Sequence, residues 1–310
     1  MARYVPTILV LALLVGSAAA FAVTERLKLE PSPITGTLVD KIFSPVCNCP
    51  TDRAKISFRL RKAGTITVDL LDSGDHSVRT LVRHKHEPVG RLTLHWNGRD
   101  DEGDVVADAV YRPRVRLQSH GRTIVLPNPI RVDTTKPVIT VRAVNPTVFS
   151  PDSDGRRDRI RVYYTVSERA RVRLLVNGKQ RVLSRRMPLK GTLDWFGRQD
   201  GRSFRPGTYA ISVVAVDRAG NASAPSPAVP VRIRYIELAR TEIPVEAGKR
   251  FGVRVMTDAL RFSWRFARAT GTHAPGLLVL RAPRAPGTFT LFVQARGHAD
   301  SATVHVEPPR

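Results

Sequence analysis

The sequence predicts an all-β chain: three tandem β-sandwich domains following an N-terminal hydrophobic helix. Three observations carry this. Apolar and polar residues alternate over short runs, the pattern of strands with one buried face. Gly, Pro, Asn and Asp interrupt these runs at short intervals, as in a sandwich. The pattern then recurs after roughly 100 residues, the length of one immunoglobulin-like domain.

Composition allows this. The chain has 310 residues, 42% of them hydrophobic and 6% aromatic. That is enough for two or three domains with real cores, and the few rings are expected as core anchors. Formal net charge is +23, with 41 Arg against 9 Lys. Arginine codons of a GC-rich genome are the bland source of such a bias. The functional reading is attraction to a polyanion: an anionic envelope polymer, a phospholipid surface or nucleic acid. The excess is largest in residues 137–235, with 19 basic and 7 acidic side chains.

Residues 1–23 read as an export segment. Arg3 precedes 19 apolar or small residues, Val5 to Val23, about 28 Å as a helix and close to the thickness of a hydrocarbon core. Ala20-Phe21-Ala22 fits a cleavage signal. A cleaved signal peptide and an uncleaved membrane anchor fit equally, and either places the rest outside the cytoplasm. Residues 24–40, including "EPSPITG", are expected as a linker.

The first domain is expected over 41–132. Ile56, Phe58 and Leu60 alternate with Ser57 and Arg59. Ile66, Val68 and Leu70 form a second run, Leu92, Leu94 and Trp96 a third, and Tyr111, Val115 and Leu117 a fourth. "VDTTKP" (Val132 to Pro137) marks a boundary, because Pro137 favours extended chain before it. The second domain, 137–235, repeats the first. Ile160, Val162 and Tyr164 match Ile56, Phe58 and Leu60, "WFGRQDG" matches "WNGRDDEG", and Tyr209 matches Tyr111. Each copy is led by a Phe-Ser-Pro segment, "FSPVCNCPTD" from Phe43 and "FSPDSDGRRD" from Phe149. The third domain, 236–307, carries "FSWRF", "PGLLVL", "PGTFTLFVQARG" and "SATVHV".

Asp72 to Gly74, the "VRTL" run Val78 to Leu81, Trp-x-Gly-Arg-Asp at 96–100, Gly103 and the strand led by Tyr111 resemble the FlgD-type immunoglobulin-like domain. That module occurs in flagellar hook-capping proteins and as an accessory domain on exported bacterial proteins. The second copy lacks "VRTL" and has Gln199 in place of Asp100. Hook capping is not carried over, because an export segment stands where the hook protein has its own N-terminal region. The third domain resembles a different bacterial group of immunoglobulin-like domains, in which a Trp strand, a Pro-Gly-Leu turn and a Gly-Thr-Tyr/Phe strand recur.

Several residues invite a role. Trp96 with Gly98, and Trp195 with Gly197, are expected to be structural: a buried indole capped by a tight turn. Sugar stacking is the competing reading. Cys47 and Cys49 are the only cysteines. Outside the cytoplasm they are expected as a disulfide with each other, ahead of free thiols, an intermolecular bridge or a metal site. Asp152, Asp154 and Asp158 lie in D-x-D-G-x-x-D, a plausible half-site for calcium. Arg156, Arg157 and Arg159 oppose a cation there, and an Asx-type turn is the competing reading. Arg159, Arg161, Arg169, Arg171 and Arg173 are expected on one outer sheet face, for polyanion binding or as a solvated face that blunts edge pairing. His84-Lys85-His86 is expected to be exposed and inert. No nucleotide, zinc-protease or serine-hydrolase motif occurs.

The expectation is therefore an exported, non-catalytic array, structural or adhesive, presenting a binding surface at the cell envelope. A basic module binding an anionic envelope polymer through the second domain, and accessory domains of a hydrolytic or other envelope complex, are the alternatives. No cofactor is expected other than calcium at 152–158. Expected partners are envelope proteins or an anionic cell-surface polymer, with the membrane reached through an uncleaved N-terminal helix. Nucleic acid is disfavoured, because interleaved exposed aromatics are not evident.

Overall fold

The computed structural model describes residues 10–21 and 31–309. Val10 to Phe21 are helical. Among the described residues no helix is long and apolar enough to cross a membrane. Both ends of the expected export segment, and residues 24–30 of the expected linker, lie outside the described residues.

The remainder is all-β and divides into two units, residues 1–134 and 135–310. The division falls inside Val132 to Pro137. The first unit holds one sandwich and the second holds two, each with its own hydrophobic core. All three share one topology. In the first sandwich, Ile34–Val39, Ala54–Leu60 and Gly90–Trp96 form a three-stranded antiparallel sheet. The facing sheet runs Ile42–Phe43, Ile130–Val132, Val110–Leu117, Gly64–Leu71, Ser77–Glu87, with Arg122–Val125 paired to Val110–Leu117. In the second, Ile139–Asn145, Ile160–Val166 and Lys190–Trp195 face a five-stranded sheet of Val148–Phe149, Val229–Ile233, Gly207–Val216, Arg171–Val176 and Lys179–Leu183. The third repeats this, with Ile236–Leu238, Arg250–Thr257 and Gly276–Arg281 opposite a sheet ordered from Glu242–Glu246 through His298–Glu307 to Ala269–His273. In each, the leading segment crosses from one sheet to the other and pairs in parallel with the last strand.

The alternation explains the cores. Ile56, Phe58 and Leu60 point inward against Ile66, Val68 and Leu70 from the facing sheet. Ile160, Val162 and Tyr164 meet Val172, Leu174 and Val176 in the same way. Burying such side chains is worth about 1.5–3 kcal/mol each, and the intervening positions are mostly polar or charged.

Two expectations are corrected. The linker expected over 24–40 contains a strand: Ile34–Val39 pairs with Ala54–Leu60, and Ile34 is 5% exposed in the first core. A bulge between Thr35 and Leu38, where Gly36 has φ 60°, breaks the period-two pattern that would have revealed it. The five arginines do not share one face. Arg161 lies on Ile160–Val166, in the three-stranded sheet, with Arg159 just before it. Arg171 and Arg173 lie on Arg171–Val176, in the opposite sheet, with Arg169 just before it. Strands adjacent in sequence here cross between the layers of the sandwich.

Candidate functional site

The two Phe-Ser-Pro segments dock in the same way. Phe43 meets Trp96, and Phe149 meets Trp195, each edge-on with ring centroids 5.5 Å apart. Gly98 and Gly197 take φ of 69° and 58°. A Cβ at either would lie 2.7 Å from Pro45 or Pro151 respectively. Both indoles are buried, at 0% and 2% exposure, which disposes of sugar stacking on these faces. The Trp96 Nε1–H donates to the Arg99 carbonyl at 2.9 Å. Tyr111 and Tyr209 each donate to a carbonyl four residues upstream, at 2.9 and 2.8 Å. Arg99 and Arg198 serve loops: Arg99 reaches the Gly103 carbonyl, and Arg198 reaches Ser153 Oγ and the Pro151 carbonyl.

Beyond this shared frame the leading loops differ. In the first, Cys47 and Cys49 are joined, with Cα atoms 5.3 Å apart. In the second, backbone N–H groups of Ser153 and Gly155 donate to the Asp158 carboxylate at 2.6 and 2.8 Å. Both Asp158 oxygens are thereby spent on holding the turn. Asp152 and Asp154 accept from Asp154 N–H and Arg156 N–H, one oxygen each. They converge instead on Asp258 of the third sandwich: one oxygen from each of the three lies within 4.8 Å of the others. The carboxylate trio expected as 152, 154 and 158 is therefore 152, 154 and 258 in space. The Asp152 carboxyl is pushed up to about 6, first by burial and next by the charge of Asp154. Burial also raises Asp258.

On the outward side of Ile160–Val166 lies a basic cleft of about 480 Å³. Arg157, Arg159, Arg161, Tyr163 and Phe196 line it. Period-two alternation places Arg159, Arg161 and Tyr163 on the face opposite the buried Ile160, Val162 and Tyr164. Asp194 sits across from Arg161 on Lys190–Trp195. It accepts two bonds from Arg161, at 2.7 and 2.9 Å, and lies 3.4 Å from Arg159. The Arg161 hydrogen bonds, with the Arg159 charge, hold the Asp194 carboxyl below the usual range against partial burial. One carboxylate is thus shared by two guanidiniums. The Arg159 guanidinium also sits 5.6 Å from the centroid of Phe196. Phe196 and Tyr163 are 49% and 40% exposed. Sequence reasoning missed these two rings. Phe196 follows the buried Trp195 directly, and Tyr163 alternates with Val162 and Tyr164, so both were legible as outward positions.

Arg169, Arg171 and Arg173 are exposed on the opposite layer. His84, Lys85 and His86 lie exposed on Ser77–Glu87, where His84 Nδ1 is 2.9 Å from Gln118 Nε2 and Lys85 pairs with Glu87.

No protein-family profile matches the chain, and no curated protein matches it by sequence. Among solved structures it is similar to the fibronectin(III)-like modules of CbhA from Clostridium thermocellum, with 19% identity, 64% of this chain and 93% of that chain covered, and a TM-score of 0.35. It is similar to part of a 1.5-MDa bacterial ice-binding adhesin, with 14% identity, 90% and 99% covered, and a TM-score of 0.28. It is also similar to SGBP-B of the mixed-linkage glucan utilization locus of Bacteroides ovatus, with 14% identity, 90% and 69% covered, and a TM-score of 0.22.

Proposed function

We propose that this chain is a non-catalytic, exported array of immunoglobulin-like sandwiches that binds an anionic polymer of the cell envelope through its second domain. The observation that carries the reading is the cleft of Arg157, Arg159 and Arg161 beside the exposed rings of Tyr163 and Phe196. Guanidiniums suit carboxylate, sulfate or phosphate groups through paired N–H donors. Flat rings beside them suit the apolar faces of sugar units. Export is supported by the apolar run of residues 5–23 and by the joined pair Cys47–Cys49, which suits an oxidising compartment. The first two sandwiches are read as FlgD-type domains, and the third as a member of a separate bacterial immunoglobulin-like group.

The test is retention of the full chain on an anionic polysaccharide column under a salt gradient. The double variant Arg157→Gln/Arg159→Gln is expected to elute at clearly lower salt. Arg171→Gln/Arg173→Gln, on the other layer, removes the same charge and is expected to shift elution less. Equal shifts from both pairs would reduce the reading to net charge, and no shift from the cleft pair would reject it.

A further inference from the structure

We propose that Asp152, Asp154 and Asp258 hold a divalent cation of the calcium class, and that this ion fastens the leading loop of the second sandwich to the third. The inference does not rest on the basic cleft, although Arg157 borders both.

Two different sandwiches supply the ligands. Asp152 and Asp154 stand in the turn that Asp158 closes through its two backbone bonds. Asp258 follows the strand Arg250–Thr257 directly. Its neighbours fix it: Thr257 Oγ1 donates to the Tyr235 carbonyl at 2.7 Å and accepts from Ala259 N–H at 3.2 Å, and Ala259 is buried. The separation of the three carboxylate oxygens, within 4.8 Å of one another, suits oxygens that each lie about 2.3–2.6 Å from one shared calcium.

A second observation points to a ligand. Both carboxylate oxygens of Asp258 are shielded from solvent and have no hydrogen-bond partner. Ser150 is 0% exposed, and its hydroxyl also lacks a partner. That hydroxyl faces Asp258 closely enough to offset part of the rise that burial imposes on its pKa, without a hydrogen bond of ordinary geometry. Native proteins rarely leave such atoms unsatisfied, and a buried carboxylate without donors is costly. The corresponding serine of the first sandwich, Ser44, is differently used: its hydroxyl accepts from Val46 N–H. In that loop Val46 and Asn48 stand where Asp152 and Asp154 stand in the second, so it has no matching ligand set. Three carboxylates and a hydroxyl, with no sulfur or imidazole, select a hard cation that prefers oxygen. Arg157 is the basic side chain whose charge reaches Asp258. It is exposed, which leaves it free to turn outward.

The consequence is a stiffer junction. The second and third sandwiches are already close-coupled. Tyr235, in the second core, stacks on His298 with centroids 3.5 Å apart, and Arg232 of the second sandwich pairs with Glu237 of the third at 2.6 Å. A cation at the trio adds a tie on the side of the leading loop.

The experiment uses the full chain and calcium alone. Titration calorimetry after chelator treatment is expected to show calcium binding that Asp258→Asn weakens at least tenfold. Asp154→Asn, on the other sandwich, is expected to weaken it comparably. Circular dichroism checks that each variant is folded, and the near-isosteric Asn relieves like-charge crowding rather than adding strain. Millimolar calcium is expected to raise the melting temperature of the wild-type chain and to leave that of Asp258→Asn unchanged. Wild-type chain that binds no calcium at millimolar concentration would overturn the proposal. So would binding that Asp258→Asn leaves intact, because the ion would then not span the two sandwiches.

Discussion

Phe149 meets Trp195 edge-on at 5.5 Å and 61°, and the pair Phe43 and Trp96 reproduces both values. Each contact is held by a proline packed over a glycine that a Cβ would block. Two loops with different chemistry are thus mounted on one aromatic clasp. Trp195→Ala is expected to destabilise the second unit by about 3–5 kcal/mol. Gly197→Ala combines a left-handed backbone with overpacking against Pro151, an expected cost of about 2–4 kcal/mol. Gly201, at φ 77° with open space around it, is the control: Gly201→Ala carries the backbone cost alone. Urea unfolding of both variants checks this, and equal losses would remove the packing account.

The bridge between Cys47 and Cys49 closes a loop of very few residues, so it restricts the unfolded chain little. The expected loss on Cys47→Ser/Cys49→Ser is at most about 2 kcal/mol in the first unit. Thiol titration of the unfolded, unreduced chain is expected to find no free thiol. Two titratable thiols would show that the loop is held by the Phe43–Trp96 contact alone.

Stability of the third sandwich is expected to depend on His298. Burial against Tyr235 lowers its pKa from the ordinary value of 6.5. The folded state therefore prefers neutral imidazole. By linkage, its contribution is fully present above about pH 6.5 and is lost as pH falls through the lower folded value. His298→Phe keeps a ring against Tyr235 and removes the titration. Denaturant midpoints of the variant are expected to change less than wild type between pH 7 and 5. Parallel curves would assign the acid sensitivity elsewhere.

Much of the fold was legible in one dimension. Runs such as Ile56-x-Phe58-x-Leu60 name their own inward face, because side chains on a strand alternate whatever the strand packs against. The offset copies of Trp-x-Gly and Tyr identified two versions of one domain. What escaped had a local cause. Ile34–Val39 was hidden by the bulge at Gly36, which breaks alternation within six residues. Phe196 was legible from its place after the buried Trp195, but its company with Arg159 depended on the fold.

The sequence by itself determined most of the strands, the repeat and the burial of Trp96 and Trp195 beside their glycine turns, since these follow from periodicity and from residues conserving their spacing within one chain. Only the tertiary structure decided which charges meet. It sent Arg159 and Arg161 to one layer and Arg171 and Arg173 to the other, because successive strands cross the sandwich. It spent Asp158 on backbone N–H groups and brought Asp258, a hundred residues away, to Asp152 and Asp154. Such a meeting depends on how one domain packs on the next, and no spacing along the chain records it.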